Sequence, residues 1–399
     1  MLTGALALLM LIPLALIENQ VNERKGNAER TTFEISRDWG MAQTVSGPCL
    51  VFQYDVYDKD PDGKPLVKKV TKRVYPETLK TNAAVETQTL HRSIYDVTVY
   101  QSDLSITAHI VIPEDLLARN AACQVEMGIS DLRGIVREAR FRLGDDWYRF
   151  TDGKEAVLYK EIDPKTFADL REDLTFEMQL RVKGSESLFF RPVGGITEIT
   201  VTGDSPQPSF SGDFLPAERE VRDDGFTAKW IVSQINRGGP EESSFGVRLL
   251  QKVSQYQQTT RALKYGLLII LLVFVAGLSI ELAGKRPMSI IQYLVIGLSL
   301  ALFYALVLSF SEFMAFWMAY ALAAVMTTAA LFGYFRAIFK DNYSYALTGL
   351  VAVAYILAYV LLQMETYALL AGTLILFALL AVIMYLTRNL NRKEGNSTD

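Results

Sequence analysis

Residues 265–282 read YGLLIILLVFVAGLSIEL, a run whose one charged residue, Glu281, sits near its end. Such a run is dissolved in lipid. A bilayer core of about 30 Å takes roughly 20 apolar residues as a helix, and any other open conformation leaves backbone amides unpaired in hydrocarbon. Four further stretches toward the C-terminus, 290–310, 313–332, 345–363 and 367–386, meet the same criterion, so 265–386 predicts a five-helix transmembrane domain. Toward the N-terminus the character reverses. Residues 18–264 carry most of the 44 acidic and 40 basic residues, and this part of the chain is dissolved in water.

A sixth apolar stretch, 2–17, begins directly after Met1 and is short for a span. A secretory signal would need a basic n-region and a small-x-small cleavage site. No Lys or Arg precedes the run, and Leu14-Ala15-Leu16-Ile17-Glu18-Asn19 is a poor cleavage site. Residues 1–17 therefore read as an uncleaved first transmembrane helix whose start codon is placed late. Lys and Arg in short loops are retained in the cytoplasm. The loops at Lys285-Arg286 and at 336–340 are basic, as is the tail with Arg388, Arg392 and Lys393, whereas Ser311-Glu312 and Met364-Glu365-Thr366 carry no base. The expected arrangement is an α+β membrane protein, N-in and C-in: helix 1–17, a β-rich domain on the outer side over 18–264, helices over 265–386, and a cytoplasmic tail over 387–399.

Within 18–264 the dominant pattern has period two. Residues 95–100, 104–111, 175–182 and 196–201 alternate apolar and polar side chains, as half-buried strands do. Turn residues at Pro61-Asp62-Gly63, Gly144-Asp145-Asp146, Asp152-Gly153, Gly194-Gly195 and Asp223-Asp224-Gly225 separate them. An antiparallel β domain follows, with short helices expected near 113–118 and 164–171, and with Ser254 as N-cap of a helix leading into the second span.

Candidate chemistry is sparse. Asp58-Lys59-Asp60-Pro61-Asp62-Gly63 starts like a calcium loop, but Lys69 stands where a bidentate Glu is required, which makes it a hairpin turn. The two histidines, His91 and His109, have no partners at zinc-ligand spacing, so no metal is expected. No Gly-x-Ser-x-Gly elbow, dinucleotide fingerprint or Walker pattern exists, and no cofactor is expected. A converging pair of carboxylates stays open, because any two acids can meet in space. A net charge of −4 gives no footprint for nucleic acid. The span interiors lack the ionisable residue or Gly/Pro break that marks a carrier, so the bundle reads as an anchor in membrane lipid. Asn396-Ser397-Thr398 matches a glycosylation sequon but falls on the cytoplasmic tail. Cys49 and Cys123 both fall in the exported domain, where a disulfide and two buried thiols are open alternatives. In 205–216 three prolines forbid a regular central strand; Phe210 and Phe214 are expected to anchor an irregular crossover, with Asp213 accepting from the loop's own amides before Pro216.

Several long strings resemble the CreD family of bacterial inner-membrane proteins, named for cell-envelope integrity. They include Ser130-Asp131-Leu132-Arg133-Gly134-Ile135, Gly184-Ser185-Glu186-Ser187-Leu188 and Pro192-Val193-Gly194. Pro208-Ser209-Phe210-Ser211-Gly212-Asp213-Phe214-Leu215-Pro216, Gln255-Tyr256-Gln257 and Gln292-Tyr293-Leu294-Val295-Ile296-Gly297 belong with them. Family members usually have a longer leader, and the family's usual His-Pro before Gln-Tyr is Ser289-Ile290 here. The resemblance implies a Gram-negative inner membrane, a periplasmic domain and a link to envelope stress; it carries no reaction. The expected function is that of a non-enzymatic protein supporting envelope integrity, whose β domain binds another envelope protein or polymer. The alternatives are a membrane-tethered enzyme using acidic residues and a transporter or lipid-handling protein.

Overall fold

The structure, a computed structural model, describes residues 6, 8–59, 65–117, 121–163, 166, 174–239, 242–249, 255–284, 289–338 and 343–364, with 370–374, 377, 380, 381 and 384 beyond them. Contacts divide the chain into two compact units, Met1–Glu29 with Val253–Asp399, and Arg30–Lys252. Helix α1 (Leu11–Trp39) contributes to both. It corrects the expected boundary at residue 17. Hydropathy falls there, but the buried positions Met10, Leu14, Ile17 and Val21 form one stripe at spacings of three and four that crosses it. The polar remainder keeps helix-forming Glu and Arg, including a Lys25–Glu29 pair at i,i+4. Pro13 costs little because it lies in the first turn.

The second unit continues in chain order with β1 (Gln43–Lys59), β2 (Pro65–Val74), β3 (Thr78–Arg92), β4 (Tyr95–Ile110), the single-turn helix α2 (Glu114–Leu117) and β5 (Ala122–Ile129). Next come β6 (Arg140–Leu143), β7 (Asp146–Arg149), β8 (Asp152–Lys154), β9 (Val157–Ile162) and β10 (Leu174–Ser185). The last are β11 (Ser187–Phe190), β12 (Ile196–Gly203), β13 (Pro208–Gly212), β14 (Glu218–Arg222), β15 (Gly225–Ser233) and β16 (Phe245–Leu249). Two sheets result. Sheet A has the order β13-β16-β11-β1-β5-β9-β8, with β2 also on β1; sheet B runs β14-β15-β12-β3-β4-β10-β6-β7. Neighbours are antiparallel except β1 with β11 and β3 with β12.

The alternation read from sequence is what builds the core. Leu79, Ala83 and Val85 of β3 and Phe176, Met178 and Leu180 of β10 point inward, joining Leu50 and Phe52 of β1 and Val125 and Met127 of β5 in one hydrophobic cluster fed by both sheets. The 144–145 and 223–224 turns fall where expected. Asp152-Gly153 does not turn: it is part of β8, and the reversal comes one step later at Glu155 and Ala156, both at positive φ (51° and 69°). Helix α2 matches the short helix expected at 113–118. The Pro61-Asp62-Gly63 turn lies outside the described residues, as do Ser254 and, apart from Thr166, the helix expected at 164–171.

In the first unit, helix α3 (Gln255–Lys264) leads through Tyr265 into α4 (Gly266–Gly284), followed by α5 (Ile290–Ser311), α6 (Phe316–Ile338) and α7 (Tyr343–Gln363). Among the described residues, four helical segments are long and apolar enough to cross a membrane: Tyr256–Val275, Ile290–Ser311, Phe316–Ile338 and Tyr343–Gln363. The first begins well before the expected residue 265. Tyr256, Thr259, Ala262 and Leu263 are buried at helical spacing while Gln257, Arg261 and Lys264 face out, so the helix starts on an amphipathic turn that hydropathy passes over. Of the span expected at 367–386, residues 370–374 are helical and most of the rest lies outside the described residues. At α5, Ser289 and Gln292 form a reciprocal capping box.

The disulfide alternative fails on register. Cys49 faces Glu126 and Cys123 faces Phe52 across the β1–β5 pair, three positions apart. At about 3.4 Å per residue that is roughly 10 Å, beyond the span of a bridge, and an odd offset turns the two side chains to opposite faces. Both are buried thiols. Cys123 sits in the hydrophobic core, and burial pushes its thiol up to about 12. Thiol labelling of denatured, unreduced protein is expected to modify both cysteines; protection of both would restore the bridge.

Candidate functional site

Two of the family-like strings, 130–135 and 184–188, meet at one end of the sandwich, around the last turn of α1. Gly40 closes the helix, its amide donating to Ser36 O at 2.8 Å, at a φ of +150° where a Cβ would come within 2.8 Å of Lys183 O. The next residue is clamped by Asp131, whose Oδ2 accepts from the Met41 amide at 2.9 Å. Asp131 Oδ1 also takes the Arg133 amide (3.1 Å) and Arg133 Nε (3.0 Å). Gln43, fully buried at the start of β1, donates from Nε2 to Asp131 O and to Lys183 O, both at 3.0 Å. Its Oε1 accepts from the Asp131 amide at 3.2 Å. A side chain at Gly134 would displace that amide, which explains the glycine in Arg133-Gly134.

A second set of bonds ties the same helix end to sheet B. Trp39 Nε1 donates to Tyr100 O at 3.2 Å, and Lys183 Nζ lies 4.1 Å from the Trp39 ring centroid, a cation–π contact. Tyr100, completely buried on β4, sends its hydroxyl across to Ser187 O of β11 at 2.7 Å. Gln43 and Tyr100 are thus polar cross-links between the two sheets. Burial alone would raise the Asp131 carboxyl; hydrogen bonds from the Arg133 side chain and from the Met41 and Arg133 amides outweigh it and hold the group below the usual carboxylate range.

The 205–216 segment is a structural corner. Its prolines leave 208–212 as an edge strand, β13, with Pro208 as first residue, where its missing N–H is tolerated. Phe210 lies edge-on to Phe226 and Trp230, with centroids at 5.9 and 5.8 Å, and Phe214 edge-on to Phe245 at 5.8 Å. Trp230 Nε1 donates to Phe214 O at 3.1 Å, and Pro216 is half-buried beyond it. Asp213 accepts from the Ser244 amide at 2.7 Å rather than from its own loop, while its amide donates to Ser244 O. The carboxylate extends the β13–β16 ladder by one rung. Arg237, not singled out in the sequence, donates to the carbonyls of Pro192 and Val193 and so fixes the Pro192-Val193-Gly194 string.

The outer face of sheet A holds a cleft of about 370 Å³. It opens where a bulge between Ser46 and Cys49 interrupts the β1–β5 register. Ser46, Cys49, Arg73, Glu126, Ser130 and Arg191 line it, with the Glu155–Ala156 turn at its rim. Arg73 pairs with Glu126 at 3.4 Å, and Gln124 Nε2 donates to the same carboxylate at 2.5 Å. Arg191 is held by its amide to Val45 O, at 2.9 Å, and presents a guanidinium with no ion-pair partner among the described residues. The lining contains no histidine. His91 instead pairs with Asp96 on the exposed tip of the β3–β4 hairpin, at 2.6 Å. Among the described residues no group of acids, Cys and His has the geometry to hold a metal.

Apolar helices of membrane-spanning length joined to a large β-rich unit define a multi-pass membrane protein. The chain belongs to the family of the inner membrane protein CreD, whose sequence model matches residues 1–393. It is 30% identical to "Inner membrane protein CreD" of Escherichia coli (strain K12), over 96% of this chain and 91% of that protein.

Replacing Asp131 with Asn keeps the shape and removes the charge. A depressed carboxyl contributes stability that is fully present above its unfolded value, near 3.9, and is lost as pH falls through the folded one. Thermal unfolding should therefore show Asp131→Asn weaker than the parent by about 1.5 to 3 kcal/mol at neutral pH, with the gap closing in acid. A pH-independent gap would show that the charge contributes nothing.

Proposed function

We propose that the β-rich unit is periplasmic and binds another envelope component without chemical turnover, supporting envelope integrity from an inner-membrane anchor with both termini in the cytoplasm. The observation that carries the reading is the sheet A cleft. Its Arg191 guanidinium, hydroxyls and neutralised Glu126–Arg73 pair are groups that recognise a polar or anionic partner. Cys49 lies in the lining with no histidine beside it to serve as base. The basic loops beside Lys285-Arg286 and Arg336 support the orientation.

A second reading draws on the presence of Glu126 and Glu155 in the same cleft, the carboxylate pair that an enzyme on an envelope polymer would use. The two readings separate in cells. Tolerance of an envelope-active agent, normalised to protein level, should fall in Arg191→Gln and be kept in Glu155→Gln; loss in Glu155→Gln with Arg191→Gln intact would replace binding with catalysis.

Orientation is tested by fusion. A periplasm-active reporter inserted after Gly203 should be active and one after Asn396 silent, and the opposite pattern would invert the topology.

A further inference from the structure

The outer face of sheet B carries a second cleft, about 540 Å³, on the sheet opposite the one just discussed. Its lining includes Asp103, Arg137, Glu138, Arg140, Gln179 and Arg181. Register explains its charge. Along β10, outward residues meet outward residues of the neighbouring strands: Arg181 faces Asp103 of β4, and Glu177 faces Arg142 of β6. Both are opposite-charge pairs, as cross-strand pairing favours. The Arg181–Asp103 pair is bidentate, and Arg142 lies 3.7 Å from Glu177.

The row between them breaks the pattern. Arg140 faces Gln179, a neutral amide, and bonds to its Oε1 at 3.4 Å. With no carboxylate opposite, the Arg140 guanidinium lies over the half-exposed Trp147 ring, 4.6 Å from its centroid. Arg137 is brought to the same place by the neighbouring Val136 amide, which donates to Arg181 O at 2.9 Å. The two acids in the lining are already engaged, Asp103 by Arg181 and Glu138 by Arg149 at 2.8 Å. Arg140 is therefore left with no ion-pair partner among the described residues, and Arg137 adds only a secondary attraction to Asp103, whose carboxylate Arg181 already holds.

We infer that this cleft binds a dianionic oxyanion of the phosphate monoester class, free or carried on a sugar. Two guanidiniums lining one cleft are neutralised by a dianion and only half neutralised by a single carboxylate, and guanidinium geometry suits phosphate oxygens. The volume admits a sugar ring along with the anion. This site shares no lining residue with the sheet A cleft, and it stands or falls independently of the topology and of the proposed function.

The test is calorimetric titration of the full chain in detergent with inorganic phosphate, glucose 6-phosphate and glucose, on the parent, Arg137→Gln/Arg140→Gln and Arg142→Gln. Glucose should not bind. Glucose 6-phosphate should bind the parent, weaken with added salt, and lose at least about tenfold in affinity in the double variant. Arg142→Gln should stay within about twofold, since that arginine already has Glu177. Phosphate binding as tightly as glucose 6-phosphate assigns the site to the free anion, and tighter sugar phosphate binding assigns it to the glycosyl form; both support the oxyanion site. No binding to the parent at about 10 mM, equal binding of glucose, or a double variant indistinguishable from the parent would overturn it.

Discussion

The Gln43 side-chain amide is the interaction on which the β unit's arrangement depends. It is fully buried, so each of its polar atoms must find a partner, and from its place on sheet A it finds them on sheet B and on the Ser130-Asp131 segment. An apolar residue there would remove the side-chain partner of the Lys183 carbonyl and of the Asp131 amide at once, and leave the Asp131 carbonyl with the Gly134 amide alone. That multiplicity also explains why Gly134 and Asp131 accompany it: one gives the amide room, and the other binds the backbone that delivers Gln43 to its place. Of the resemblance strings, 130–135 and 184–188 thus mark where the end of α1 is latched to the sandwich.

Legibility in the sequence followed the physics of each signal. Period-two alternation depends only on which side chains face the core, and it located β4, β10 and β12 closely. Spans 290–311 and 343–363 were legible because apolar content alone defines them. The N-terminal helix was cut short for the same reason, whereas the helix over 255–264 leading into the second span was expected from the residues that follow Ser254. Hydropathy registers how apolar a window is and misses a narrow stripe such as Met10, Leu14, Ile17 and Val21 running into polar sequence. The clefts were not legible at all. Arg140 looks like any surface arginine until register sets Gln179, and no acid, opposite it. Phe210 and Phe214 were recognised as anchors, but the Asp213 contact with Ser244 joins segments that only the fold brings together.

The membrane unit is closed by small residues and one ion pair. Met10 on the N-terminal stripe fills the space a Cβ would need at Gly297 of α5, and Leu14 does the same at Gly266 of α4. Small residues of this kind allow helices to approach closely where lipid supplies no hydrophobic drive for association. At the end of α5, Glu312 lies 3.6 Å from Arg24 and takes the Tyr256 hydroxyl at 3.5 Å, so the carboxylate is shared between α1 and α3. The N-terminal helix is an integral member of the bundle.

The two parallel pairings set a timetable for biogenesis. β1 closes against β11 at Gln43–Leu188, and β3 against β12 at Thr78–Ile196, so the inner strands of both sheets wait for partners encoded more than a hundred residues later. A chain delivered from its N-terminus holds β1 and β3 with open edges for most of that interval, and long-range pairings of this kind form slowly. Open edges recruit strands from other chains. The parallel closures therefore make the yield of this unit depend on keeping the early strands away from other chains until β11 and β12 have been synthesised.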